Sequence, residues 1–489
     1  MKNLLSVKKW DYAQKFLLIF LIFQAVMWVL IPASYHNSLH YDPTETLMWG
    51  STFNWGGAKH PPMSGYMLYH FCKLFGFPNF AIFLASQICL FAGFIFIYKL
   101  ARCFFESKTA VMATLLITFY YFYNSETPKF NANTPHLLFV PMMLYSFYRG
   151  VTANKLHHWI MLAFSGAGAF LTKYYAGVFF VSFIAYIICD KDARKCLTTY
   201  KPYLAGILFF ALLAPHLLHL YRTDFLVLKY VSSGEKADYG YFMQLVMITI
   251  AMIIPAAAMY LPAYLTQMLN SRKAALPKIR CVNPAAAKYT LFILGGQAAV
   301  LLGMGICGNR LETMWTYQMF FPMGILIMAY YPDEVSEKTI RIFSVLTVLF
   351  AVTMMLCMLI YSNVKSSFRR HIDKAELLSC AREYYRTQTG KDIPFIIGEE
   401  WHAGLVQNTL KYTVRCCPDN DPILIGIHRE NIRRHGALIV TGHPERSSEN
   451  ILREFGQKPQ WQTVQLPYQA RFGKKKKYKF YFAVLEKEE

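Results

Sequence analysis

The chain has 489 residues, of which 55% are hydrophobic and only 16% are charged, and its formal net charge is +21. Such a low charged fraction is unusual for a soluble globular protein, and many apolar runs reach the ~20 residues that a helix needs to cross a bilayer. Composition therefore excludes an ordinary soluble protein. The basic residues lie mostly in short loops between apolar runs, which favours the positive-inside rule over binding to nucleic acid.

Eleven membrane spans are predicted before the C-terminal region. The first follows a short basic N-terminus and is interpreted as an uncleaved span, because no convincing small-residue cleavage site accompanies it. A cytoplasmic N-terminus places the Lys- and Arg-rich connections inside and the C-terminal region outside. The predicted spans lie near residues 14–33, 78–99, 109–123, 135–149, 157–172, 174–189, 203–221, 240–264, 289–307, 315–331 and 338–361.

The C-terminal region differs from the rest of the chain, because its apolar runs are short and lie between polar, glycine-containing segments. ELLSCAREYYRTQTG and ENILREFG are typical of helices that end at glycine, whereas DIPFIIG, PILIGI, GALIVTG and KYKFYFAVL are typical of short strands. The sequence therefore predicts a transmembrane domain over residues 1–362 and a small extracytoplasmic α/β domain over residues 363–489. In an oxidising compartment Cys380 could pair with Cys416 or Cys417.

The first outer segment contains the sequence D-P-T-E. Asp42 could be the N-cap of a helix, Pro43 its first residue and Glu45 the third member of a capping box. The same spacing keeps the two carboxylates close together. The pair could therefore also hold a divalent cation or a proton.

Several polar residues follow at predicted outer ends of spans. In K-H-P-P, two prolines fix an extended turn that exposes Lys59 and His60, a pair suited to binding phosphate. The other polar residues at these positions also have purely structural interpretations, such as a polar turn, an aromatic anchor with a snorkelling lysine, or a buried ion pair. The candidates for contacts with sugar hydroxyls and phosphate are Glu126, Lys129, Asn131, Asn133, Lys173, Tyr174 and Arg310.

The order of these motifs resembles the GT-C membrane glycosyltransferases. The resemblance rests on D-P-T-E, W-G-G-A-K-H-P-P, F-N-A-N-T-P-H-L-L-F, T-K-Y-Y-A-G and I-I-G-E-E-W-H-A-G, and it extends over nearly the whole chain. It is greatest for the bacterial branch that contains lipid A aminoarabinose transferases, core galacturonosyltransferases and protein O-mannosyltransferases. Many members have adjacent acids where this chain has D-x-x-E, a form that is similar to the galacturonosyltransferase group.

The resemblance implies a polytopic GT-C fold with about eleven transmembrane helices and an inverting transfer of a sugar from a polyprenyl-phosphate donor. Asp42 is then the expected general base for an acceptor hydroxyl, with Glu45 beside it. Five residues are candidates for stabilising the leaving phosphate, namely Lys59, His60, Lys129, Lys173 and Arg310. Glu126, Asn131, Asn133 and Tyr174 are candidates for holding the substrate. A divalent cation at Asp42 and Glu45 is the only cofactor that the sequence suggests.

The expected acceptor is lipid A, lipopolysaccharide or another envelope glycan, with the site on the periplasmic face of a bacterial inner membrane. A protein acceptor is the alternative within the enzyme class. A transporter or flippase for a lipid-linked sugar would place charged residues at mid-membrane, whereas here they cluster at the ends of spans. A scaffold that uses only the C-terminal domain would leave the ordered outer motifs unexplained.

Overall fold

The computed structural model describes residues 10–232, 241–271, 280–306 and 316–488. Each of the eleven predicted spans overlaps helical structure. The helices up to the last span are α1 (Tyr12–Ala33), α2 (Tyr41–Ser51), α3 (Met63–Leu74), α4 (Asn79–Ala101), α5 (Ser107–Leu115), α6 (His136–Ala153), α7 (Leu156–Thr172), α8 (Gly177–Cys189), α9 (Lys191–Arg194), α10 (Lys201–Arg222), α11 (Leu226–Ser232), α12 (Tyr241–Ser271), α13 (Pro284–Ile306), α14 (Met323–Ala329) and α15 (Glu337–Val364).

Within the described residues, six helices are long and apolar enough to cross a membrane, namely α1, α4, α10, α12, α13 and α15. Shorter apolar helical segments lie at Ser107–Phe119, Tyr174–Cys189 and Tyr317–Ala329. The long helices carry exposed apolar stripes at helical spacing, as expected for faces in contact with lipid. On α1 the stripe consists of Ile19, Ile22, Val26 and Leu30, which are 66%, 48%, 48% and 57% exposed.

The C-terminal part folds as helices around one mixed sheet. Its helices are α16 (Phe368–His371), α17 (Lys374–Thr389), α18 (Glu400–Thr409), α19 (Pro422–His435) and α20 (Pro444–Phe455). Its strands are β1 (Phe395–Gly398), β2 (Arg415–Pro418), β3 (Ala437–Thr441), β4 (Gln462–Tyr468) and β5 (Lys476–Leu485). The strand order is β2-β1-β3-β5-β4, with β1 parallel to both of its neighbours and β5 antiparallel to β3 and β4.

One expectation for this region is wrong. PILIGI is the first part of α19, because Asp421 caps the helix by accepting hydrogen bonds from the backbone amides of Ile423 and Leu424 and Pro422 occupies the first turn. The pairing of Cys380 with Cys416 or Cys417, which the sequence left open, is not formed. Cys380, Cys416 and Cys417 are all free, and the last two lie buried on β2.

Helices α2 and α3 pack closely on each other, and α2 also packs on the C-terminal part. A Cβ atom added to Gly50 on α2 would lie 2.1 Å from the carbonyl oxygen of Gly65 on α3, so only glycine allows this approach. On the other side of α2 lies α18, where Gly404 meets Thr44. The indole N–H of Trp401 donates to the carbonyl oxygen of Leu39 at 2.8 Å. These contacts attach α18 to the segment that carries the D-P-T-E sequence.

Candidate active site

The D-P-T-E sequence lies in the first turn of α2, but it does not form a capping box. The helix begins at Tyr41, its N-cap residue is His40, and no side chain caps it. The hydroxyl of Thr44 donates to the carbonyl oxygen of His40 at 2.8 Å. The capping interpretation of Asp42 and Glu45 is therefore wrong, and both carboxylates are available for other partners.

Asp42 lies on the wall of a cavity of about 250 Å³. The amide group of Asn131 donates to Oδ2 of Asp42 at 3.1 Å and so orients the carboxylate. The cavity combines aromatic rings with a few polar side chains, as is common for small-molecule sites. Its lining residues are His40, Asp42, Tyr121, Phe122, Glu126, Thr127, Lys129, Asn131, Thr134 and Leu137.

A chain of hydrogen bonds leads from Asp42 to Lys173, which lies at the C-terminal end of α7. Oδ1 of Asn131 accepts from the backbone N–H of Asn133 at 2.8 Å, and Oδ1 of Asn133 accepts from the ammonium of Lys173 at 3.0 Å. The phenol of Tyr317 donates to the carbonyl oxygen of Asn133 at 2.9 Å. Burial lowers the pKa of Lys173 to about 8. Four residues proposed from three separate loops are thus joined in one network.

Lys59 is held between two carboxylates. Its ammonium lies 2.8 Å from Oε1 of Glu45 and 2.5 Å from Oε1 of Glu400, and the phenol of Tyr41 donates to the other oxygen of Glu400 at 3.1 Å. Glu400 is only 3% exposed. The network links α2, the loop that follows it and α18. Any phosphate that Lys59 binds must therefore compete with these carboxylates.

The environment of this network shifts its pKa values. Burial raises the pKa of Glu45 to about 7, although the neighbouring Lys59 acts in the opposite direction. Burial alone would raise the pKa of Glu400, but Lys59 outweighs it and keeps that pKa below its usual value. Burial alone would lower the pKa of Lys59, but the two carboxylates outweigh it, so the lysine stays protonated.

His60 lies close to both lysines. Burial lowers the pKa of its imidazole to about 3, and the charges of Lys173 and Lys59 act in the same direction. Its ring also meets the edge of Trp49, with 5.4 Å between the ring centroids. His60 is therefore a neutral group that can donate or accept a hydrogen bond next to two cations.

The remaining predicted residues are placed as follows. Lys129 bonds both carboxylate oxygens of Glu126, at 2.9 and 2.8 Å, on the cavity wall. The phenol of Tyr174 lies 2.9 Å from Nε2 of His216, so it is directed towards α10 rather than Asp42. Arg310 lies outside the described residues.

The arrangement does not fit a divalent cation at Asp42 and Glu45. Glu45 already bonds the ammonium of Lys59, whose charge would repel a metal ion. Asp42 accepts a hydrogen bond from a neutral amide instead. Within the described ranges, no group of three or more His, Cys, Asp or Glu side chains is placed to hold a metal.

Sequence reasoning missed Glu400. Glu400 belongs to the I-I-G-E-E-W-H-A-G motif and lies 341 positions beyond Lys59. Neither periodicity nor spacing can pair residues so far apart. The motif itself gave a partial signal, because two adjacent acids precede a buried tryptophan and a glycine. An acid in that place is expensive to bury unless it is paired.

A bundle of apolar helices, acidic and basic residues collected at one end, and a small α/β domain over that end fit the GT-C class of membrane glycosyltransferase folds that the sequence resembles. Comparison with known proteins agrees with this class. Residues 59–219 match the sequence family described as dolichyl-phosphate-mannose-protein mannosyltransferase. No curated protein matches the chain in sequence.

Among solved structures, the chain is similar to ArnT from Cupriavidus metallidurans. The structure of ArnT bound to undecaprenyl phosphate has a TM-score of 0.61 at 11% identity, covering 95% of this chain and 97% of ArnT. The apo structure of ArnT has a TM-score of 0.62 at 11% identity, covering 97% and 98%. The predicted GT-C fold is thereby confirmed, and part of the chain is related in sequence to a glycosyltransferase family.

Proposed function

We propose that this protein transfers a sugar from a polyprenyl-phosphate carrier to an acceptor on a lipid or glycan at the outer face of the membrane. The observation that carries the proposal is the position of Asp42, on the wall of a cavity and oriented by Asn131. The carboxylate can act there on a group inside the cavity. The two ArnT structures, one of them with undecaprenyl phosphate, support a carrier of this class.

The reaction is an inverting displacement at the anomeric carbon. An acceptor oxygen forms a bond to that carbon while the bond from the carbon to the phosphate oxygen breaks, and the phosphate leaves with the electron pair. When the acceptor is a hydroxyl, Asp42 takes its proton as general base. When the acceptor is a phosphate, which is already ionised, Asp42 orients the attacking group.

The leaving phosphate gains negative charge, and cations must stabilise it. Lys59 and Lys173 supply two cations on the side of the site that contains His60, and neutral His60 can donate a hydrogen bond between them. Glu45, whose pKa is raised to about 7, releases Lys59 more readily when it is protonated. Lys129 and Arg310 remain candidates for the same role.

The sugar is expected to lie in the cavity beside Asp42. Glu126 and Asn131 line that cavity and can bond sugar hydroxyls. Asn133 would support them through its bond to Lys173, and Tyr174 would contribute only if it exchanged its contact with His216. No step is assigned to a metal, because Lys59 occupies the carboxylate that would bind one.

Lipid A or lipopolysaccharide at the periplasmic face of a bacterial inner membrane is the acceptor we favour. A protein acceptor is the second candidate, favoured by the match of residues 59–219 to the protein mannosyltransferase family. A flippase is disfavoured, because the charged residues of the site lie on α2, the loops and the C-terminal part rather than within spans.

The test is mass spectrometry of the envelope glycolipids from cells that lack the protein, carry the wild type, or carry Asp42→Asn at matched expression. Loss of one sugar-sized mass in the first and third strains is the expected result. Asp392→Asn is the matched control, since this carboxylate is exposed and bonds only Arg386 among the described residues. A full sugar content in the Asp42→Asn strain would refute the role of Asp42 as the general base. Unchanged lipids in every strain would point to a protein acceptor.

A further inference from the structure

A second cavity, of about 320 Å³, adjoins the one that contains Asp42. The two share His40, Glu126 and Lys129 as lining residues, so the Glu126–Lys129 ion pair stands between them. The second cavity lies at the outer ends of α1 and α15, where Tyr35 and Tyr361 line it.

The distinctive group of this cavity is Arg370, which is only 8% exposed. Its guanidinium donates to the hydroxyl of Ser362 at 3.2 Å and to the carbonyl oxygen of Lys365 at 3.3 Å. In the part of the chain that the structure describes, no carboxylate forms an ion pair with it. Burying a cation without a counter-charge is costly, so this arrangement indicates that an anion completes the site.

Two imidazoles supply further donors. His36 and His40 line the cavity, and the Nδ1 atom of His40 is buried with no hydrogen-bond partner among the described residues. Burial is the main cause that lowers the pKa of His36 to about 3 and that of His40 to about 4, with Arg370 and Lys129 among the charges that act in the same direction. Neutral imidazoles can each donate one hydrogen bond to a phosphate oxygen.

The surroundings of the cavity fit a ligand that is anchored in the bilayer. Met358 and Pro32 give it an apolar side, next to the lipid-facing residues Leu30 on α1 and Ile360 on α15, which are 57% and 62% exposed. An acyl chain could leave the cavity between the ends of these two helices. A phosphate group at Arg370 would then lie at the depth of the head groups.

We propose that this second cavity binds the phosphate group of the lipid acceptor. The inference rests on the proposed transfer, in which the leaving phosphate is assigned to the side of Lys59, His60 and Lys173. An inverting displacement needs the acceptor and the leaving group on opposite faces of the sugar. The Arg370 cavity shares Lys129 with the Asp42 cavity, whereas the residues assigned to the leaving phosphate are absent from the lining of both, so the Arg370 cavity offers a second approach.

The experiment measures lipid binding rather than transfer. The purified full-length protein is titrated with dioleoyl phosphatidic acid, a phosphomonoester lipid, and with dioleoyl phosphatidylcholine, and the bound lipid is counted by native mass spectrometry. Arg370→Gln is expected to weaken binding of phosphatidic acid at least tenfold, while Arg370→Lys retains most of it. Arg386→Gln, an exposed arginine on α17, is the matched control and should bind as the wild type does.

Undecaprenyl phosphate distinguishes the two possible sources of the phosphate. If the cavity serves the acceptor, undecaprenyl phosphate binds Arg370→Gln as it binds the wild type and does not displace phosphatidic acid. If undecaprenyl phosphate competes for the same site and loses affinity equally in Arg370→Gln, the cavity belongs to the donor and the inference fails. Unchanged binding of phosphatidic acid by Arg370→Gln also overturns it. Both results are independent of whether a sugar is transferred.

Discussion

Gly404 on α18 offers a direct test of whether the C-terminal part shapes the active site. A Cβ atom added there would lie 2.5 Å from Cγ2 of Thr44 and 3.1 Å from Cε of Met48 on α2. Carbon atoms in ordinary contact are about 3.5–4.0 Å apart, so Gly404→Ala must separate the two helices by about 1 Å or more. Thr44 cannot turn aside easily, because it is fully buried and its hydroxyl bonds the carbonyl oxygen of His40.

The displacement would be transmitted to the site. Glu400 and Trp401 begin the same helix, and their bonds to Lys59 and to the carbonyl oxygen of Leu39 are only 2.5 and 2.8 Å long. A shift of about 1 Å lengthens both beyond hydrogen-bond distance. Overpacking costs about 1–3 kcal/mol, and replacing a helical glycine by alanine returns about 0.5–1 kcal/mol. The net loss in unfolding free energy is then about 0–2.5 kcal/mol.

The rate of sugar transfer should fall by more than the small loss in unfolding free energy alone would cause. A misplacement of about 1 Å in a positioned group can reduce the rate about 100-fold. The assay combines thermal unfolding of the purified protein with the sugar content of the glycolipids. Gly426→Ala on α19 is the control, because its added Cβ would meet nothing within 4 Å. Equal stability and equal transfer in the two variants would refute the coupling of α18 to the site.

Two further substitutions test the network around Asp42. Because the pKa of Glu45 is about 7, lowering the pH from 8 to 6 protonates most of it and removes one of the two carboxylates that hold Lys59, so KM for the donor should fall across that range. Glu45→Gln should reduce this change in KM to the part that comes from Lys173, whose pKa of about 8 lies in the same range, and a pH profile like that of the wild type would contradict this. Asn131→Leu removes the donor that orients Asp42 and should lower kcat about 10- to 100-fold, together with a rise in KM because Asn131 also lines the sugar cavity. An unchanged kcat in the same transfer assay would show that Asn131 does not position the base.

Six of the eleven predicted spans coincide with described helices that are long and apolar enough to cross a membrane, because the apolar length required by the bilayer is a local property of the sequence. The other five fall on shorter or less apolar helices. The helix α17 was also predictable, since Gly390 at its end adopts a φ of +69° that glycine tolerates. Local rules were less reliable where tertiary contacts select between two possibilities. Asp-Pro begins a helix at Asp421, where a strand was expected, and does not cap the helix at Asp42, where a cap was expected.

The C-terminal sheet contacts the loop between α2 and α3 for a topological reason. The parallel strands β1 and β2 end at the same edge, and Glu400 and Asp421 follow directly after them. The carboxyl edge of parallel strands commonly faces a ligand site, and here it faces the loop between α2 and α3. Glu400 bonds Lys59, and Asp421 accepts a hydrogen bond from the backbone N–H of Ala58 at 3.2 Å. The loop that carries Lys59 is thus fixed from the C-terminal part, so removing that part should leave the membrane helices without a positioned lysine.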